Sequence, residues 1–132
     1  MPVLLLCLLS LIGLPALAAS ASEEQLIRDL RRIARTSSEG TPRAINADIV
    51  DRGFTVDRRT LINHLSVRPE HAEDMRRNPG AVRRQLTTSV CANGGFRQLL
   101  SRGAVLRYQF TEAGTNWPVA SESFIAEDCA DL

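Results

Sequence analysis

The stretch VCANGGFRQLLSRGAVLRYQFTEAGTNWPVASESFIAEDC, residues 90–129, decides the fold. A short helix is predicted over 93–102, where Phe96, Leu99 and Leu100 supply one buried side. Gly103 suits the left-handed position just past its end. Residues 105–111 then alternate, with Leu106, Tyr108 and Phe110 on one face of a strand. Ala113-Gly114-Thr115-Asn116 makes a turn, and residues 117–126 return as a second strand carrying Val119, Phe124 and Ile125. Pro118 donates no ladder bond, so that end belongs at an edge. A cysteine stands near each end of the stretch.

Upstream, Ser22-Glu23-Glu24-Gln25 reads as a capping box. Leu26, Ile27, Leu30, Ile33 and Ala34 follow at helical spacing, predicting a helix over 23–35. Residues 36–42 are turn-rich. Residues 45–56 read as a strand, broken near Arg52-Gly53, and Asp57-Arg58-Arg59 as a turn. In the return strand Leu61, Asn63, Leu65 and Val67 share one face, while Ile62, His64 and Ser66 share the other. Pro69 suits the first turn of a helix whose early acids, Glu70, Glu73 and Asp74, favour its dipole. Asn78-Pro79 ends that helix. Val82, Leu86 and Val90 then recur at four-residue steps toward Cys91. The order helix, hairpin, helices, hairpin predicts an α+β domain: one antiparallel sheet from two hairpins, with helices packed on one face.

Residues 1–21 form an apolar run ending in small residues. Both Ala16-Leu17-Ala18 and Ala19-Ser20-Ala21 fit the small-x-small rule for signal peptidase, so the run reads as an export leader. A membrane anchor is the alternative, but the run is short for a span and is interrupted by Gly13 and Pro15. Leu4-Leu5-Leu6-Cys7 resembles a lipobox, yet Cys7 precedes most of the apolar core. Cleavage leaves on the order of 110 residues, 22–132, enough for one exported domain. Its cysteines are Cys91 and Cys129. Two cysteines in an exported chain ordinarily pair, the alternative being two free thiols. Closing that loop would stabilise the fold by roughly 4 kcal/mol.

All 16 basic side chains are arginine, and the formal net charge is +1. The signs alternate along the chain, and no basic run points to nucleic acid. The two histidines are His64 and His71, neither at metal-finger spacing, so no metal or cofactor is expected. His64 is the best general-base candidate, but no nucleophile motif accompanies it. His71, among acids on a helix, reads as a solvated residue. Glu127 and Asp128 are adjacent and point apart in an extended segment. Gly94-Gly95 lacks the lysine of a phosphate loop. Arg83, Arg84, Arg97 and Arg107, if gathered on one face, would hold an anionic or acidic partner.

One cysteine opens a short helix (Val90-Cys91). Leu99-Leu100 precedes Gly103, Leu106-Arg107-Tyr108 follows, and Asp128-Cys129 closes the stretch. On these residues the chain resembles the small exported proteins described as "putative quorum-sensing-regulated virulence factor". Phe110 and Glu112-Ala113-Gly114 depart from the family's second tyrosine and Asp-x-x-Gly turn. Small secretion pilotins are similar in size and layout. The resemblance implies an α+β fold, a Cys91–Cys129 disulfide and no established catalytic residue. The expected function is a non-enzymatic periplasmic or secreted binding or accessory protein of a Gram-negative bacterium, related to the envelope or to virulence. Its partner would be a protein or an envelope component, with no nucleic acid and no membrane span once the leader is cut. The alternatives are a small hydrolase using His64 and an inhibitor or immunity-type protein.

Overall fold

The structure is a computed structural model that describes residues 14–131, with side chains described from residue 21 on. Most of the expected leader, Cys7 included, lies outside the described residues. Among them the elements are α1 (Leu14–Ser37), β1 (Arg43–Ala44), β2 (Ile49–Asp57), β3 (Thr60–Val67), α2 (Pro69–Arg77), α3 (Pro79–Ala92), α4 (Gly94–Ser101), β4 (Val105–Glu112) and β5 (Pro118–Phe124). A single 3-10 turn, Ala126–Cys129, follows β5.

The strands form one sheet in the order β1-β2-β3-β4-β5. Both expected hairpins are present: β2 pairs with β3, and β4 with β5, each antiparallel. The join between them differs from the all-antiparallel expectation. β3 and β4 are parallel, in register from Thr60↔Val105 to Val67↔Glu112. Three helices separate these strands, and a crossover of that length returns the chain to the end where β3 began.

Two boundaries move. α1 begins at Leu14, so Ser22 lies within the helix rather than at its cap. Ala16-Leu17-Ala18-Ala19 are strong helix formers and carry the helix upstream. The first β-hairpin strand starts at Ile49 rather than 45. The Asn46 side chain accepts from the backbone N–H groups of Asp48 and Ile49, at 2.8 and 2.9 Å, and folds this segment into a turn. The expected break near Arg52-Gly53 is a β-bulge between Asp51 and Phe54. α4 is capped as its residues demand. Asn93 accepts from Phe96 N–H at 3.0 Å, and Gly103, at φ +96°, closes the far end.

Side chains alternate along the strands, so one sheet face carries Leu61, Leu65, Val67, Leu106, Phe110 and Phe124, all buried. The helices cover this face in two clusters. Leu26, Leu30 and Ala34 of α1, Val90 and Cys91 of α3, and Leu99 and Leu100 of α4 pack with Leu61, Leu106, Phe124 and Cys129. Ala72 and Met75 of α2 pack with Leu65, Val67 and Phe110. The Cys91–Cys129 disulfide joins the end of α3 to the segment after β5 across 38 residues of chain. The edge strand β5 is held from the helix side. Arg76 of α2 and Arg83 of α3 donate to the carbonyls of Pro118 and Ser123, at 3.0 and 3.2 Å. Occupied carbonyls make the edge a poorer template for another strand.

Candidate functional site

A groove of about 280 Å³ opens on the helix side of the sheet. Ile49 of β2, Met75 of α2, Val82 and Leu86 of α3, and Phe110 of β4 give it an apolar lining, which His71, Gln85 and Ser89 complete. The cause is local. On α3 the stripe Val82, Leu86, Val90 runs the length of the helix, but only Val90 is fully buried. Val82 and Leu86 stay half-buried because the α2–α3 pair does not close down on the sheet. Met75 adds an unbranched, adaptable side chain, the residue type suited to varied apolar contacts. Beside the groove, His71 Nδ1 lies 3.8 Å from Asp48, and Arg68 donates to the same carboxylate at 2.6 and 3.0 Å. This set ties the β1–β2 turn to the start of α2.

Three polar side chains are buried on the helix-covered face: Glu112, which accepts from Arg76 of α2 at 3.1 Å, and Asp51 and Asn63. Asp51 Oδ1 accepts from Gly53 N–H at 2.9 Å and from Asn63 Nδ2 at 3.0 Å. Asn63 also donates to the Gly53 carbonyl, and Arg43 lies 3.5 Å from the other Asp51 oxygen. Every partner of Asp51 and Asn63 belongs to β1, β2 or β3, so the cluster pins the bulge. Tyr108, beside Asn63 in the sheet, stacks edge-on against Phe124 with centroids 6.2 Å apart. Burial pushes the Tyr108 hydroxyl above its ordinary value.

The four arginines singled out in the sequence are distributed over the molecule. Arg83 of α3 donates to Glu122 at 2.8 Å and to Asp128 at 3.2 Å, and its guanidinium carbon lies 4.6 Å from the Phe124 ring centroid. The Glu122 hydrogen bond raises its pKa further above an already high value, against the opposing effect of burial. Arg84 is exposed on the outer side of α3. Arg97 of α4 donates to the Cys91 carbonyl at 3.3 Å and lines a hollow with Cys129. Arg107 lies on the sheet face opposite the helices, where it donates to Ser123 Oγ at 3.0 Å. The fold brings Arg83 together with acids and leaves Arg107 on the far side of the sheet.

His64 sits on that same far side, its Nε2 2.6 Å from Thr55 Oγ1 across the strand pair. A flat sheet face with a hydroxyl partner differs from the concave site with an orienting carboxylate that a general base uses. Among the described residues no group of three or more His, Cys, Asp or Glu is placed to hold a metal ion, and no helix is long and apolar enough to cross a membrane. Of the groove residues, Val82, Leu86 and Phe110 were legible as apolar positions and His71 as a solvated one, while Met75, Gln85 and Ser89 carried no signal. The signal that marks the groove is Val82 and Leu86 continuing an apolar stripe on a helix already anchored at Val90.

Comparison with curated proteins finds no match. Among solved structures, a "putative secreted protein" from Pseudomonas aeruginosa is 58% identical, with 82% of this chain and 96% of that one covered and a TM-score of 0.80. Two pilotins of type II secretion systems share the fold. That of Vibrio vulnificus is 13% identical, with 83% and 96% covered and a TM-score of 0.66. That of Vibrio cholerae is 18% identical, with 85% and 99% covered and a TM-score of 0.69. A family model described as "putative quorum-sensing-regulated virulence factor" matches residues 19–130. The chain therefore belongs to the family described by those words, as the features of residues 90–129 led us to expect.

Proposed function

We propose that this protein is an exported, non-catalytic accessory domain of a Gram-negative bacterium that binds an apolar segment of an envelope or secretion-system protein in the groove between α2, α3 and the sheet. The observation that carries the reading is the half-buried apolar lining of Ile49, Val82 and Leu86 around buried Met75 and Phe110. A concave apolar lining with a few polar groups at its rim is the form that binding sites commonly take. The extracytoplasmic setting is supported by the leader-like residues 1–21, by the disulfide and by the secreted description of the Pseudomonas aeruginosa relative. The envelope role is supported by a fold shared with proteins named as secretion pilotins. On this reading residues 1–21 are removed, and residues 22–132 act as one domain.

The test is site-specific photo-crosslinking in the periplasm from position 85, whose glutamine lines the groove. The expected result is a defined adduct with an envelope or secretion protein, identified by mass spectrometry. Ser89→Trp, which fills the groove from an exposed position, should abolish that adduct while leaving thermal unfolding unchanged. An adduct pattern insensitive to Ser89→Trp would overturn the proposal. Intact mass of the exported protein tests the leader, whose two candidate cuts follow Ala18 and Ala21.

A further inference from the structure

The sheet face opposite the helices carries a pattern unrelated to the groove. Reading the register across it gives rows of side chains. One row runs Thr55, Ile62, Arg107, Ser123, and the next runs His64, Gln109, Ser121. The β2 bulge places Arg52 opposite His64, extending the second row to β2. The following row holds Val50, Ser66 and Thr111. These rows contain no acidic side chain. The nearest acid on the face is Asp57, at the β2–β3 turn beside Arg58 and Arg59.

Acids are not scarce in the chain; they are placed elsewhere. Glu122, a neighbour of both Ser121 and Ser123, points to the other face and is taken by Arg83. Asp51 is buried against Asn63. Arg52 and Arg107 enter no ion pair among the described residues. Their backbone positions lie two strands and one row apart, about 12 Å from strand and residue spacings. Between them lie hydroxyl, amide and imidazole groups, and the apolar Ile62 beneath is only 9% exposed.

We propose that this face binds an extended acidic polysaccharide, with Arg52 and Arg107 each engaging a carboxylate and the Thr, Ser, Gln and His side chains engaging sugar hydroxyls. Charge complementarity selects the anion, because two guanidiniums without counter-charges stand on a face free of acids across three rows. Hydrogen-bonding side chains dominate the three rows, and the one exposed apolar residue close by, Ile125, lies two residues past Ser123 and outside them, so the rows suit sugar hydroxyls better than a helix or a lipid tail. The flat, open surface suits an extended chain rather than a small molecule held in a pocket.

Retention of the exported protein on immobilised polygalacturonate, dextran and polyglutamate tests this. The expected result is retention on polygalacturonate, released by salt, and none on the neutral dextran. Arg52→Ala and Arg107→Ala should each weaken binding about tenfold, the size of one charge-assisted hydrogen bond. Arg84→Ala, on α3, should change nothing. If Arg107→Ala perturbs the strand, Arg107→Gln removes the charge while keeping a donor for Ser123. No retention on polygalacturonate, equal retention on dextran, or a double variant that binds like the parent would overturn the proposal. Stronger retention on polyglutamate would replace the sugar with an acidic peptide. The groove-filling Ser89→Trp should bind polygalacturonate normally, so this proposal and the groove proposal fail separately.

Discussion

Asp29 shows how one carboxylate joins distant parts of the chain. It stands on α1 and accepts from Arg102, after α4, at 2.9 Å, and from Gln25 and Arg32 on its own helix at 3.0 and 3.1 Å. The Arg102 hydrogen bond, followed by that of Gln25, lowers its pKa below the ordinary 3.8. A carboxylate whose folded pKa is depressed stabilises the fold above its unfolded pKa, and that contribution is lost as pH falls through the folded value. Asp29→Asn should therefore lower the urea midpoint near neutral pH, and the gap from the parent should close as pH drops below 3.8. A gap of constant size across that range would show that the charge is not what Asp29 contributes. Arg83 is the complementary case. Its sequence position advertised a free cation, but Glu122 and Asp128 approach it only once β5 and the last turn have docked on α3.

At the scale of elements, the bulge in β2 is the most constrained feature. Gly53 adopts φ +102°, and a Cβ there would meet Ser38 Oγ at 3.0 Å and Thr41 Oγ1 at 3.1 Å. Ser38 cannot easily yield, because its hydroxyl accepts from Phe54 N–H at 2.8 Å and donates to the Phe54 carbonyl at 3.3 Å. The end of α1 is thereby fastened to the free edge of β2. Gly53→Ala should cost about 1–3 kcal/mol, from left-handed strain plus the displaced serine. An unchanged denaturant midpoint would mean that the bulge relaxes without penalty. The Arg52-Gly53 break was legible in the sequence because glycine within a strand pattern marks a bulge. The serine that requires glycine there was not, since Ser38 lies in a turn fifteen positions upstream.

For the whole molecule, the disulfide matters most. Cys91 and Cys129 are 4–5% exposed and sit within the larger cluster with Leu99, Leu100, Leu106 and Phe124. The bond closes a loop spanning α4, β4 and β5, and so limits how far the unfolded chain can spread. Cys91→Ser should lower unfolding free energy by about 2–4 kcal/mol, combining lost loop closure with a hydroxyl in an apolar setting. Denaturant unfolding of the parent and variant measures this. A loss well under about 1 kcal/mol would show that the core alone holds the helices to the sheet.

The sequence by itself determined every element but the short β1, though not where α1 begins, together with both hairpins, the pairing of Cys91 with Cys129 and the family. Those features follow from what short stretches carry: alternation along Leu106, Tyr108 and Phe110, glycine at position 103, proline at 69 and 79, and two cysteines downstream of a leader-like run. Only the tertiary structure decided that β3 and β4 run parallel, that Arg83 and Arg107 lie on opposite sides of the sheet, and that Val82 and Leu86 border a groove rather than a sealed core. A two-residue alternation says which side chains share a face of one strand. It carries no information about which strand lies alongside, in which direction, or how closely a helix settles on top, because those depend on contacts between segments dozens of residues apart.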